Sequence, residues 1–139
     1  MIRSRIPVAD VVCVYCSLII SVLEYASPVW HSGLTKTQSD DIERVQKRCM
    51  RIIFPQLNYS DALLTCGLEP LSVRRENAVV KLFNEIKNNR NHILNDLLPK
   101  KLAVYSDIAT RCTYPYRLPI IRTSRPMRSF IYYCVRKKM

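Results

Sequence analysis

Leu34-Thr-Lys-Thr-Gln-Ser-Asp-Asp-Ile-Glu-Arg-Val-Gln-Lys-Arg-Cys-Met-Arg-Ile-Ile-Phe54 carries the clearest helical signal in the chain and sets its fold class. Thr35 and Gln38 have the spacing of a capping box, in which each side chain satisfies an orphan backbone donor of the other residue. Asp40, Asp41 and Glu43 follow near the N-terminal end, where the helix dipole favours negative charge. Ile42, Val45, Cys49, Ile52 and Ile53 recur at helical spacing and define an apolar face. Arg44, Lys47, Arg48 and Arg51 form a basic stripe on the opposite face. Pro55 stops the run.

Outward from this segment the pattern stays helical. Ala9 to Ala26 reads as a first helix, apolar nearly all round, which implies burial on most sides. Pro28 is expected to end it, with residues 29–33 as a connector and Trp30 as an anchor against the core. Ser60 caps a short helix through Cys66, closed by Gly67. Ser72 to Lys87 is the next helix, with Val79, Leu82, Phe83 and Ile86 on its apolar face; Arg75 falls on that face and Arg74 points off it. Residues 92–98 suggest one more short helix before Pro99. The expectation is an all-α fold: a small irregular bundle of four to five helices over residues 1–99, followed by an extended basic tail over 100–139. In that tail no acidic residue follows Asp107, whereas arginines, tyrosines and prolines alternate, with a last short helix or strand around Ser129 to Val135.

Composition bounds the function. The chain has 139 residues, 48% hydrophobic and 24% charged, which places it among globular domains and allows one modest core. A formal net charge of +11 favours an anionic partner, nucleic acid first. Only two glycines occur, which disfavours Gly-rich phosphate loops. The six cysteines fit free thiols in a reducing, intracellular setting better than a disulfide framework, because four of them sit in apparent helices among apolar neighbours. Cys13 and Cys16 have zinc-like spacing, but no second pair supplies the other two ligands, so no metal and no cofactor is expected. His31 and His92 lack neighbouring ligand patterns. The basic N-terminus followed by Val11 to Leu23 imitates a signal peptide without its small-residue cleavage site. The run between Asp10 and Glu24 is shorter than the ~20 residues a bilayer requires, so no membrane partner is expected.

Several local strings, in order, resemble the region beyond the catalytic core of reverse transcriptases from non-LTR retrotransposons, of the jockey-like and CR1-like kinds. They are Ser21-Val-Leu-Glu-Tyr-Ala-Ser-Pro-Val-Trp30, Ile42-Glu-Arg-Val-Gln-Lys-Arg48 with Arg51-Ile-Ile-Phe54, Tyr59-Ser-Asp-Ala-Leu63, Gly67-Leu68, Leu71-Ser-Val-Arg-Arg75 and Tyr114-Pro-Tyr-Arg-Leu-Pro119. The resemblance implies a thumb-side helical extension of an RNA-directed DNA polymerase. It does not imply polymerase chemistry for this chain. That chemistry needs carboxylates holding two metal ions, and the family's aromatic-X-Asp-Asp turn is not matched: Asp40-Asp41 follows Gln38-Ser39 at a helix start. A catalytic residue is therefore not expected, and the chain reads as the part that follows the catalytic domain.

The candidate nucleic-acid contacts are Arg44, Lys47, Arg48 and Arg51, with Arg122, Arg125 and Arg128 in the tail; the tail tyrosines are expected to pack on the helical body. The expected partners are RNA or an RNA/DNA hybrid and the polymerase core of the parent protein. Arg75 on an apolar face demands compensation, since an unpaired buried charge is costly. Glu24, also among apolar residues, is one candidate partner, so Glu24, Trp30 and Arg75 are the candidate structural residues. The competing reading is a helical interaction module with no nucleic-acid role of its own.

Overall fold

The computed structural model describes residues 6–100, 116, 118, 120, 122–123 and 127–137. Among them the fold is all-α, without a strand. The helices are α1 (Val8–Val14), α2 (Ser21–Glu24), α3 (Ser27–Trp30), α4 (Lys36–Ile53), α5 (Tyr59–Cys66), α6 (Leu71–Asn88) and α7 (Phe130–Arg136). A π-helical segment, Tyr15–Ile20, joins α1 to α2. The chain divides into two compact units: residues up to Ser27 with Leu34–Glu76, and Pro28–Gly33 with Asn77–Met139. Their boundary falls inside α6, and Pro28–Gly33 groups with the second half of that helix. The extended tail expected over 100–139 lies largely outside the described residues, Arg125 included. Its described end is helical, with Ser129 at the N-cap of α7.

Local chemistry explains the helix ends. The capping box of α4 forms in both directions: the Gln38 N–H donates to Thr35 Oγ1 at 3.3 Å, and the Thr35 N–H donates to Gln38 Oε1 at 3.0 Å. Helix α5 closes on Gly67 at φ 64, where only glycine is free of Cβ strain. The Leu68 N–H then reaches Leu63 O at 2.9 Å and the Gly67 N–H reaches Leu64 O at 3.1 Å, the two bonds of a Schellman motif. At the end of α6 the Asn95 side-chain amide donates to Ile86 O at 2.6 Å, satisfying an orphan carbonyl.

The first helical stretch departs from expectation. It ends at Tyr25 and Ala26, where Ala26 takes φ 48, so Pro28 does not end it. Pro28 instead sits in the first turn of α3, which its missing N–H and fixed φ suit. The connector is thus itself helical, with a 3₁₀ turn at His31–Gly33 after α3, and Trp30 there is half-buried. Residues 92–98 contain only a 3₁₀ turn, Asn95–Leu97. Burial on most sides is also overturned. From Val8 to Glu24 only Tyr15 and Ile20 are buried, whereas Val14, Leu18 and Val22 are 54%, 63% and 74% exposed. By length and composition alone Val8–Gly33 is long and apolar enough to cross a bilayer, with an 18-residue window of mean hydropathy 1.8. Its backbone breaks at Ala26, however, and its Glu24 is committed to an ion pair.

Each unit has its own core. In the first, Tyr15, Ile20, Met50, Ala62 and Leu63 pack together, with Cys16, Cys49 and Cys66 against them. In the second, Val79, Phe83, Tyr116, Cys134 and Val135 form the cluster. Phe83 meets Phe130 edge-on at 6.4 Å, and His31 meets Tyr133 at 6.0 Å. The Ser32 hydroxyl ties the 3₁₀ turn to Arg128 O at 2.5 Å. The buried tail tyrosine, Tyr116, packs on the helical body as expected. The five described cysteines are free; only Cys134 is buried, and Cys13 is exposed.

Candidate nucleic-acid interface and the network behind it

Helix α4 places the candidate basic residues and the groups that hold the helix on opposite sides. At about 100° per residue, Arg44, Lys47, Arg48 and Arg51 occupy one arc. All four are exposed. The far arc carries Gln46 and Met50, both fully buried, flanked by half-buried Ile42, Glu43, Cys49 and Ile53. The core-facing side is therefore rotated from the one apolar residues alone define: Val45 and Ile52 are 43% and 72% exposed, and two polar residues, Glu43 and Gln46, turn inward.

Hydrogen bonds account for that rotation. The first backbone N–H groups of α6 have no intrahelical acceptors. Gln46 Oε1 accepts from the Leu71 N–H at 3.1 Å, and Glu43 Oε2 accepts from the Ser72 N–H at 3.2 Å. A carboxylate here also meets the positive end of the α6 dipole. The Tyr59 hydroxyl shares its one proton between Glu43 Oε1 and Gln46 Oε1, the latter at 3.0 Å, while Gln46 Nε2 donates to Glu69 O at 3.3 Å. Side chains of α4 thus cap α6, and Tyr59 locks them from α5. Burial and the Glu43 carboxylate push the Tyr59 hydroxyl well above the ordinary phenol range.

The candidate Glu24–Arg75 pair does not form. Glu24 takes a two-pronged contact from Arg74, Nε to Oε1 and Nη2 to Oε2, the latter at 2.8 Å. The one-residue step turns the side chain by about 100° around α6 and decides which arginine faces Glu24. This contact raises the Arg74 pKa, chiefly through the hydrogen bond itself. Arg75 is fully buried and donates to Ser39 Oγ at 2.9 Å. Burial lowers its pKa, opposed by the Glu43 and Glu24 carboxylates.

On the exposed face Arg44 differs from its neighbours. Asp41, one turn earlier, pairs with it at 2.9 Å, so the stripe has an acidic partner that the sequence reading did not assign to it. Among the described residues no ion pair engages Lys47, Arg48 or Arg51; Lys47 Nζ lies 5.5 Å from the centre of the Tyr59 ring. Arg122 and Arg128 are exposed in the second unit, and Arg125 lies outside the described residues.

Sequence reasoning missed Ser39, Glu43, Gln46 and Tyr59. Glu43 and Gln46 sit at i, i+3 on the side of α4 away from the arginines, a polar pair that a hydropathy pattern assigns to solvent. Among the described residues no group of three or more His, Cys, Asp or Glu is placed to hold a metal. No family model, curated protein or solved structure matches the chain.

Proposed function

We propose that this chain is a thumb-side, post-catalytic helical region of a non-LTR retrotransposon reverse transcriptase, which holds template–primer nucleic acid and performs no chemistry itself. The ordered strings quoted above support the family. The observation that carries the binding role is the exposed arc of α4, where Lys47, Arg48 and Arg51 stand without acidic partners among the described residues. A row of cations on a rigid helix tracks phosphates without reading sequence. Arg44 contributes less, because Asp41 neutralises it.

The test is fluorescence anisotropy of an RNA/DNA hybrid titrated with the chain over a range of salt. Three phosphate contacts give a slope of log K against log salt of about −3. The charge reversals K47E, R48E and R51E together are expected to abolish binding at physiological salt. Absence of binding at low salt, or binding indifferent to the triple reversal, refutes the proposal.

A second reading has its own observation. Val14, Leu18, Val22 and Tyr25 leave an apolar stripe along the first helical stretch, more than a typical isolated hydrophobic residue. That stripe supports an interaction module packing on another protein body. It predicts self-association when the chain is alone, readable as mass by light scattering.

A further inference from the structure

The basic arc of α4 does not end on a flat surface. Beyond its last turn the chain folds back through Pro55 and Leu57 to Asn58, and the Leu57 N–H bonds Phe54 O at 3.2 Å to fix the turn. Between this turn and the helix lies a cavity of about 290 Å³, lined by Lys47, Met50, Arg51, Pro55, Leu57 and Asn58, with Tyr59 behind Lys47. Its volume is at the small end of ligand pockets, which run from about 300 Å³ upward. That is room for one nucleobase with its phosphate and not for a duplex.

The lining is divided by chemistry. Lys47 and Arg51 are one turn apart on one rim, and like charges at that spacing repel by a few tenths of a kcal/mol. An anion between them removes that repulsion. Tyr59, whose hydroxyl is held by Glu43 and Gln46, presents its ring to Lys47 and fixes that cation at the rim. Met50 is buried and forms an apolar floor, continued by Pro55 and by Leu57, which is 42% exposed. Asn58, and not Ser60 as the sequence suggests, is the N-cap residue of α5; it has the usual extended conformation, yet its side chain makes no capping bond. Asn58 is exposed and lines the cavity, and its amide carries donors and an acceptor of the kind that pair with a base edge.

We infer that this cavity is a site for one unpaired nucleotide, its phosphate held between Lys47 and Arg51, its base laid on Pro55 and Leu57, and its edge met by Asn58. The inference rests on the nucleic-acid reading of the α4 face and adds to it a preference: a single-stranded segment is bound beside the duplex-tracking stripe. Duplex bases, stacked and paired, cannot enter, whereas an unpaired base can be splayed into such a pocket.

The experiment compares the full chain with its L57A/N58A double variant on single-stranded oligoadenylate and on a blunt hybrid duplex of equal length. Both substitutions are at the surface and remove no hydrogen bond seen in the fold. The double variant is expected to bind the single strand at least fivefold more weakly and the duplex within twofold of the parent. Equal affinity of parent and variant for the single strand, or equal losses on both ligands, overturns the inference. Duplex binding that still depends on Lys47, Arg48 and Arg51 then leaves the broader proposal standing; no binding to either ligand defeats both. In a second measurement, adenosine 5′-monophosphate is titrated into labelled chain. Shifts in the Asn58 side-chain amide and the Leu57 methyls support the site. Shifts that inorganic phosphate reproduces in full overturn it, because they report an anion site without a base.

Discussion

Replacing Gln46 by leucine tests the claim that α4 holds the start of α6. The side chain is fully buried and engages three partners: the Leu71 N–H, the Tyr59 hydroxyl and the Glu69 carbonyl. Leucine keeps most of the volume and removes all three bonds. The costs are unequal. Leu71 is fully buried, so its N–H loses its acceptor away from water, at about 1–3 kcal/mol. Tyr59 keeps Glu43, so its loss is one net hydrogen bond, about 1 kcal/mol. Glu69 is exposed and water replaces the amide at its carbonyl, so that bond contributes little. The total is about 2–4 kcal/mol. Urea unfolding followed by circular dichroism reads this as a lower midpoint; with a slope of about 1.5 kcal/mol per molar, the shift is about 1.3–2.7 M. The exposed neighbour change Arg48→Ala is expected to stay within about 0.5 kcal/mol of the parent. If Gln46→Leu unfolds within that same margin, the network is not what orders α6.

Three further outcomes follow from other contacts. A double-mutant cycle on Glu24 and Arg74 should return a coupling of about 1–2 kcal/mol, as a two-pronged, partly buried pair warrants, while a cycle on Glu24 and Arg75 should be close to additive; the reverse pattern contradicts the geometry. Leu18→Glu with Val22→Glu, both at exposed positions, should leave the melting temperature nearly unchanged and lower the apparent mass of any self-associated species; an unaltered mass argues against the stripe as a contact surface. Burial raises the pKa of Cys49 and Cys66, and of the Tyr15 and Tyr59 hydroxyls, in the folded state. The folded chain then retains protons that the unfolded chain gives up, so this contribution is complete below the unfolded thiol pKa and is lost as pH rises above about 8.5. Melting temperature measured under reducing conditions should fall between pH 8 and 10, and a flat profile would count against those burials.

The sequence by itself determined the helices that carry strong local signals. The Thr35–Gln38 box, the glycine after Cys66 and Pro55 after α4 are all local devices, and their hydrogen bonds lie within a few residues. The all-α class and the exposed basic arc follow from the same periodicity. Tertiary structure decided what periodicity cannot express. It chose Arg74 over Arg75 for Glu24, because side-chain direction on α6 relative to α2 depends on packing. It turned Glu43 and Gln46 inward, since the unsatisfied donors they serve lie on another helix. It left Val14, Leu18 and Val22 in solvent, because an apolar residue records only a preference for burial and nothing of whether a neighbour arrives to cover it. It also gathered the strings around Glu24, Gln46, Tyr59 and Leu71 into one unit, where Glu24 meets Arg74 and Gln46 joins Tyr59 to Leu71.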